Sequence, residues 1–194
     1  MTKAEVRKAV LLARRLTSPG QRRTEAQALC GHLTAMVRTG ETVCAYVPVG
    51  SEPGSPAMLD ALLGLGARVL LPVARADAAA VPQPLQWGEY RPGGLVDASF
   101  GLREPGPPRL GVDAIATASV VLVPALSVDL GGVRLGRGAG FYDRSLARAG
   151  AGARLVAVVR DDELVDRLPA DDHDVPMTHA LTPGRGLVPL GGRD

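Results

Sequence analysis

TVCAYVPVGSEPGSPAMLDALLGLGARVLLPV, from Thr42 to Val73, is the stretch that decides the fold. Thr42 to Val47 reads as a strand. Pro48-Val-Gly-Ser-Glu52 is then a loop at the strand's carboxyl end. Ser55-Pro56 starts a helix that buries Met58, Leu59, Leu62 and Leu63, and Gly66 supplies its stop. Arg68 to Val73 is the next strand. Strand, helix and strand in this order predict a parallel sheet covered by helices. The expected fold class is therefore α/β, a three-layer sandwich around a mostly parallel central sheet. Ligands in open α/β sheets sit at the carboxyl ends of strands, though Glu52 taken alone reads as a surface charge of the loop.

Downstream the same grammar repeats with a different loop. Ser119 to Pro124 is an apolar strand, a helix spans Gly140 to Ala149, and Arg154 to Val159 is the next strand. Between strand and helix lies SVDLGGVRLGRGAGFYDRSL, with Gly131, Gly132, Gly136, Gly138 and Gly140 around Arg134 and Arg137. Glycines uncover backbone N–H groups and permit φ > 0, so that amides can converge on an anion. The following helix start adds free N–H groups and a positive dipole end. Arginine supplies planar donors for phosphate, and Asp143 can hold a divalent cation shared with those phosphates. Two readings remain open on residue types: a phosphate-handling loop, or a glycine-rich hairpin whose arginines are solvated. Two better-known motifs do not fit. A Walker loop would need Lys and Ser/Thr where Arg137 and Gly138 stand, and a dinucleotide fingerprint would need glycine at Phe141.

Upstream, Thr2-Lys-Ala-Glu5 is a capping box opening a helix from Lys3 to Leu16. Val6, Val10 and Ala13 form its apolar stripe. Lys3, Arg7 and Arg14 form a second stripe, which periodicity alone reads as a solvated basic face. Ser18 caps a second helix with Pro19 at its first position and Ala26, Leu29, Cys30, Leu33, Met36 and Val37 buried; His32 beside them is read as structural. Leu85 to Tyr90 is expected as a short edge strand. Its Trp87 is either a core aromatic or a stacking surface for a flat ring.

The segment Arg134 to Arg144, RLGRGAGFYDR, resembles the signature of the 5-formyltetrahydrofolate cyclo-ligases, also called methenyltetrahydrofolate synthetases. KAEVRK, YVPVGSE, LPV, Trp87, FGLREP and LPADDHD follow the family's order, so the resemblance covers about residues 1–183. It implies ATP-driven, Mg²⁺-dependent cyclisation of 5-formyltetrahydrofolate to 5,10-methenyltetrahydrofolate, on an architecture similar to ribose-phosphate isomerases and CoA transferases.

Residue roles follow from the same resemblance. ATP would be held by Lys3, Arg7, Arg134, Leu135, Gly136, Arg137, Gly138, Ala139, Gly140, Phe141 and Tyr142. Folate would meet Val47, Glu52 and Trp87 together with Arg137 to Tyr142. A carboxylate at Glu52 has a physical reason to be there, since it can accept the paired N–H donors of an amino-pyrimidine edge. Arg137 and Tyr142 would take part in catalysis, and Asp143 and Asp174 would hold Mg²⁺. Glu104 is read as structural. The chain departs from the family at Phe141, where Tyr is usual, and at Met177-Thr178, where Val-Asp is common.

Composition limits the alternatives. The 194 residues fit one domain, expected over 1–186 with a frayed tail at 187–194. A net charge of +2 gives no argument for nucleic acid or an anionic membrane. There is no signal-peptide core, no membrane span, no zinc spacing and no G-x-S-x-G elbow, and Cys30 and Cys44 read as buried thiols. A cytoplasmic monomer acting on small molecules is the expectation. The competing functions are a sugar-phosphate isomerase of the same architecture and a non-catalytic nucleotide- or folate-binding protein.

Overall fold

The computed structural model describes residues 2–171 and 174–191, with the side chain of Phe100 excepted. In order, the elements are α1 (Lys3–Leu16), α2 (Pro19–Met36), β1 (Thr42–Cys44), α3 (Ala57–Gly64), β2 (Arg68–Val73) and β3 (Gln86–Glu89). Then come β4 (Leu95–Asp97), β5 (Arg103–Pro105), β6 (Arg109–Leu110), β7 (Val120–Pro124), β8 (Ser127–Asp129) and β9 (Arg134–Leu135). The last elements are α4 (Phe141–Leu146), β10 (Arg154–Val158), β11 (Leu164–Val165), β12 (His179–Thr182) and β13 (Gly186–Pro189).

Eight strands form the main sheet in the order β13-β12-β10-β7-β1-β2-β3-β6. The five strands from β12 to β2 run parallel, and β13, β3 and β6 join antiparallel at the flanks. Successive residues of β7 point to opposite faces, as the pleat requires. Val120 and Leu122 pack under α2 and α3, against Leu29, Leu33, Leu59 and Leu62. Val121 and Val123 pack into a second cluster that holds Trp87, Ile115 and Leu146. The result is the three-layer α/β sandwich expected from Thr42–Val73.

Local rules account for the helix boundaries. The Thr2 hydroxyl accepts from the Glu5 amide while the Glu5 carboxylate accepts from the Thr2 amide at 2.7 Å, completing the capping box. Ser18 caps α2 with Pro19 in its first turn. Gly66, at φ +78°, follows α3 and closes it.

Three expectations are corrected here. First, the tail does not fray from 187: Leu187 pairs with Leu181 and Val188 with Ala180 in β13. Residues 192–194 of that segment lie outside the described ones. Second, β3 is not an edge strand, because β6 pairs outside it and sets Leu110 opposite Trp87. Third, Ala13 is exposed, and the inward stripe of α1 is Lys3, Val6, Arg7, Val10, Leu11 and Arg14. The basic face of α1 thus points into the protein.

Candidate active site

The carboxyl ends of β7, β1 and β2 open into one large cavity of about 1310 Å³. Three loops and the start of α1 wall it. The loop after β1 contributes Val47 and Glu52, the loop after β2 contributes Ala74 and Pro82, β9 and the segment after it contribute Arg134 to Arg144, and α1 contributes Lys3 and Arg7.

The five glycines divide between two tasks. Gly131 and Gly132 make the turn of the β8–β9 hairpin, where the Asp129 carboxylate accepts from the Val133 amide at 2.9 Å. Gly132 has φ +94°, and a Cβ there would lie 2.5 Å from the Met177 carbonyl oxygen. Gly136, Gly138 and Gly140 line the cavity instead. Gly138 and Gly140 hold φ +98° and +77°, and Gly140 begins α4. Among the described residues, the amides of 137–140 donate no hydrogen bond to the protein. The segment is therefore both a glycine-rich hairpin and a loop of free donors.

Its arginines are not solvated equally. Arg134 is almost fully buried, its guanidinium ion-paired with Asp143 and its Nε without a partner among the described residues. Arg137 is half exposed, with Nε 3.3 Å from Glu52 Oε1. Arg7 donates to the Gly136 carbonyl at 2.9 Å and lies beneath Gly138. Lys3 donates to Asp171 at 2.7 Å and to Asp174 at 2.9 Å. Burial works against the Lys3 charge, but those two acceptors outweigh it and hold the ammonium above its ordinary value.

Glu52 lies deep in the cavity wall and accepts from the Val49 amide at 3.0 Å. Burial pushes its carboxyl above the usual range, and the Val49 amide and Arg137 only partly offset that. Tyr142 brings a buried hydroxyl with no partner among the described residues. Burial raises its pKa, with the Glu52 charge adding to the shift, so the phenol stays protonated and can donate. The Tyr46 hydroxyl donates to the Pro53 carbonyl at 2.7 Å and fixes the loop that carries Glu52.

The structure gathers every proposed ATP and folate residue around this cavity except Trp87. That side chain is fully buried among Leu70, Ile115 and Leu146, and it lines no part of the cavity. Its position in β3, sealed by β6 and the turn of helix at 112–117, makes it a core aromatic. Glu104 is structural as expected, accepting from the Ala74 amide and from Arg75, both at 2.9 Å. Thr178 faces away from the cavity and bonds the backbone of Leu155. Arg14, read from sequence as part of the basic stripe with Lys3 and Arg7, is buried against Glu163 at 2.6 Å and lines no part of the cavity; nothing local in the sequence announces that partner.

A divalent cation fits the donor set only in company. Asp143 and Asp174 both line the cavity, and each is already paired with a cation, Arg134 and Lys3. Among the described residues no three His, Cys, Asp or Glu side chains converge into a cage, and Asp172 and His173 lie outside those residues. Mg²⁺ commonly takes one or two carboxylates and completes its shell with phosphate oxygens and water, and Asp143 and Asp174 supply carboxylates of that number.

Comparisons with known proteins agree with this arrangement. A sequence model of the 5-formyltetrahydrofolate cyclo-ligase family matches residues 1–183. A curated 5-formyltetrahydrofolate cyclo-ligase of Mycolicibacterium smegmatis is 63% identical over 189 residues, covering 97% of each chain. A protein of that name from Escherichia coli is 28% identical over 176 residues, covering 89% of this chain and 95% of its own. Among solved structures, the 5,10-methenyltetrahydrofolate synthetase of Aquifex aeolicus superposes with a TM-score of 0.80 at 25% identity, over 100% of this chain and 95% of its own. A Mycoplasma pneumoniae protein of the same name shares the fold at a TM-score of 0.66 and 19% identity. With residues 1–183 matched by the family's model and the signature segment lining the cavity, the chain belongs to the 5-formyltetrahydrofolate cyclo-ligase family.

Proposed function

We propose that this chain catalyses the ATP- and Mg²⁺-dependent cyclisation of 5-formyltetrahydrofolate to 5,10-methenyltetrahydrofolate, releasing ADP and phosphate. The observation that carries the reading is the convergence, in one cavity, of four basic side chains, a row of undonated amides and a buried carboxylate. The cations and amides suit a triphosphate; the carboxylate suits the amino-pyrimidine edge of a pterin.

The formyl oxygen of an amide is a poor leaving group. Transfer of the γ-phosphoryl group to it breaks the bond to ADP and creates a phosphate ester of the formyl carbon. N10 then attacks that carbon, the ring closes, and inorganic phosphate departs with the oxygen. Lys3, Arg7, Arg134 and Arg137 hold the triphosphate, and the amides of 136–140 face the group in transfer. Glu52 orients the pterin, Val47 lies beside it, and the Tyr142 hydroxyl donates where the two ligands meet. Catalysis of this kind is mainly positioning and charge stabilisation. Mg²⁺, held by Asp143 and Asp174 with phosphate oxygens, would supply further neutralisation of the transferring charge. The enzyme is taken as a cytoplasmic monomer, a single domain that includes β13, working on small molecules without nucleic acid.

Ultraviolet absorbance of methenyltetrahydrofolate tests this directly. Purified protein with 5-formyltetrahydrofolate, ATP and Mg²⁺ should produce the chromophore, and omission of ATP should abolish it. Growth without ATP, or none with it, would reject the reading.

A further inference from the structure

No residue of α1 belongs to either hydrophobic core cluster. Val6, Val10 and Leu11 are half-buried on the inner face of the helix that brings Lys3 and Arg7 to the cavity, but its one fully buried residue is a charged one, Arg14. This guanidinium is 1% exposed and grips Glu163 through two bonds, Nε–Oε1 at 2.6 Å and Nη2–Oε2 at 2.7 Å. Its Nη2 also donates to the Ala125 carbonyl at 2.6 Å, one residue beyond β7. Glu163 is itself held, since its carboxylate accepts from the Arg160 amide at 2.8 Å. The end of α1 is tied to the same group, because the Arg14 carbonyl accepts from Arg22 at 2.8 Å and Arg160 donates to Thr17.

We infer that Arg14 is the positioning residue of the nucleotide site, fixing the rotation and axial placement of α1 so that Lys3 and Arg7 face the transferred phosphates. Lys3, Arg7 and Arg14 stand four and then seven residues apart, on one side of the helix. Arg14 lies roughly 10 Å along the axis from Arg7. A bidentate guanidinium–carboxylate pair permits one orientation of its helix, where an apolar contact would tolerate rotation or sliding. The carbonyl of Ala125 ties that orientation to the strand end from which the β8–β9 hairpin and the glycine segment issue. Burying such a pair brings little stability over an apolar pair of equal volume, and registry is the best-attested reason for its presence. The inference rests on Lys3 and Arg7 as phosphate ligands.

The test uses the full chain with Arg14→Met and Glu163→Leu combined, since removing one partner alone strands a buried charge. Arg14→Lys serves as a second variant that keeps the charge and loses the fork. Hydrogen exchange in α1 reads helix placement with no ligand present, and calorimetry with a non-hydrolysable ATP analogue reads the site. In the paired variant, α1 amides should exchange about tenfold faster with β7 and β10 unchanged, and analogue affinity and the KM for ATP should each weaken about tenfold. The KM for folate should not move, and Arg14→Lys should fall between wild type and the pair. Unchanged exchange in α1, or unchanged ATP affinity with α1 loosened, would overturn the inference. A wild-type chain that fails to bind the analogue would instead overturn the reading of Lys3 and Arg7, while the exchange result still reports on Arg14.

Discussion

Glu52 is a buried carboxylate whose charge works against stability, and in the proposed function it meets the pterin. Its folded carboxyl binds a proton more tightly than the unfolded chain's does, because burial opposes the charge. Folding is therefore penalised at pH above both values, and the penalty fades as pH falls through the raised value. Glu52→Gln should raise the melting temperature at neutral pH and lose that advantage in acid, measured by thermal unfolding across pH. The same change should raise the KM for folate about tenfold or more, since hydrogen bonds to a charged group are worth ~1.5–3 kcal/mol, and spare the KM for ATP. An unchanged folate KM would remove Glu52 from the pterin site. Asp143 is a contrasting case. Asp143→Ala should cost on the order of a hundredfold in turnover if it holds the metal, from several kcal/mol of charge stabilisation. Stability should suffer as well, because Arg134 would lose its counter-charge while nearly fully buried. A lower melting temperature should accompany the lost turnover.

Among the elements, those with complete local signals were legible in the chain. α1 and α2 carry their caps in sequence, and β2 carries an apolar run with a glycine stop before it. What local signals could not give was which face of an element meets the protein. The stripe of α1 looked like a solvated basic face, yet it turns inward because Glu163, Asp171 and Asp174 lie far along the chain. The glycines likewise hid their division of labour, since distant residues distinguish them: Gly132 abuts the Met177 carbonyl, while Gly138 lies over Arg7 in the cavity. Gly132→Ala should cost on the order of 2 kcal/mol from the positive φ and the close carbonyl, seen as a drop of several degrees in melting temperature. Trp87 failed for a related reason: strand order, not local pattern, decides what covers it. Trp87→Phe should destabilise by ~1–3 kcal/mol and leave the folate KM untouched. A raised folate KM at unchanged stability would restore the stacking role.

For the whole molecule, the strand–helix–strand grammar of Thr42–Val73 and Ser119–Val159 was enough to give the sandwich and the end of the sheet where ligands sit. It could not give the strand order, nor the second small sheet of β8, β9 and β11 that carries the glycine segment. That sheet presents the loop donors from one side while α1 presents its cations from another, so a single cavity can take two ligands and bring their reacting atoms together. A structure of the protein with a non-hydrolysable ATP analogue and Mg²⁺ tests this most directly. The terminal phosphates should lie against the amides of 136–140 within reach of Lys3, Arg7 and Arg137, leaving the Glu52 side of the cavity open. Phosphates bound at any other surface, with this segment untouched, would contradict it.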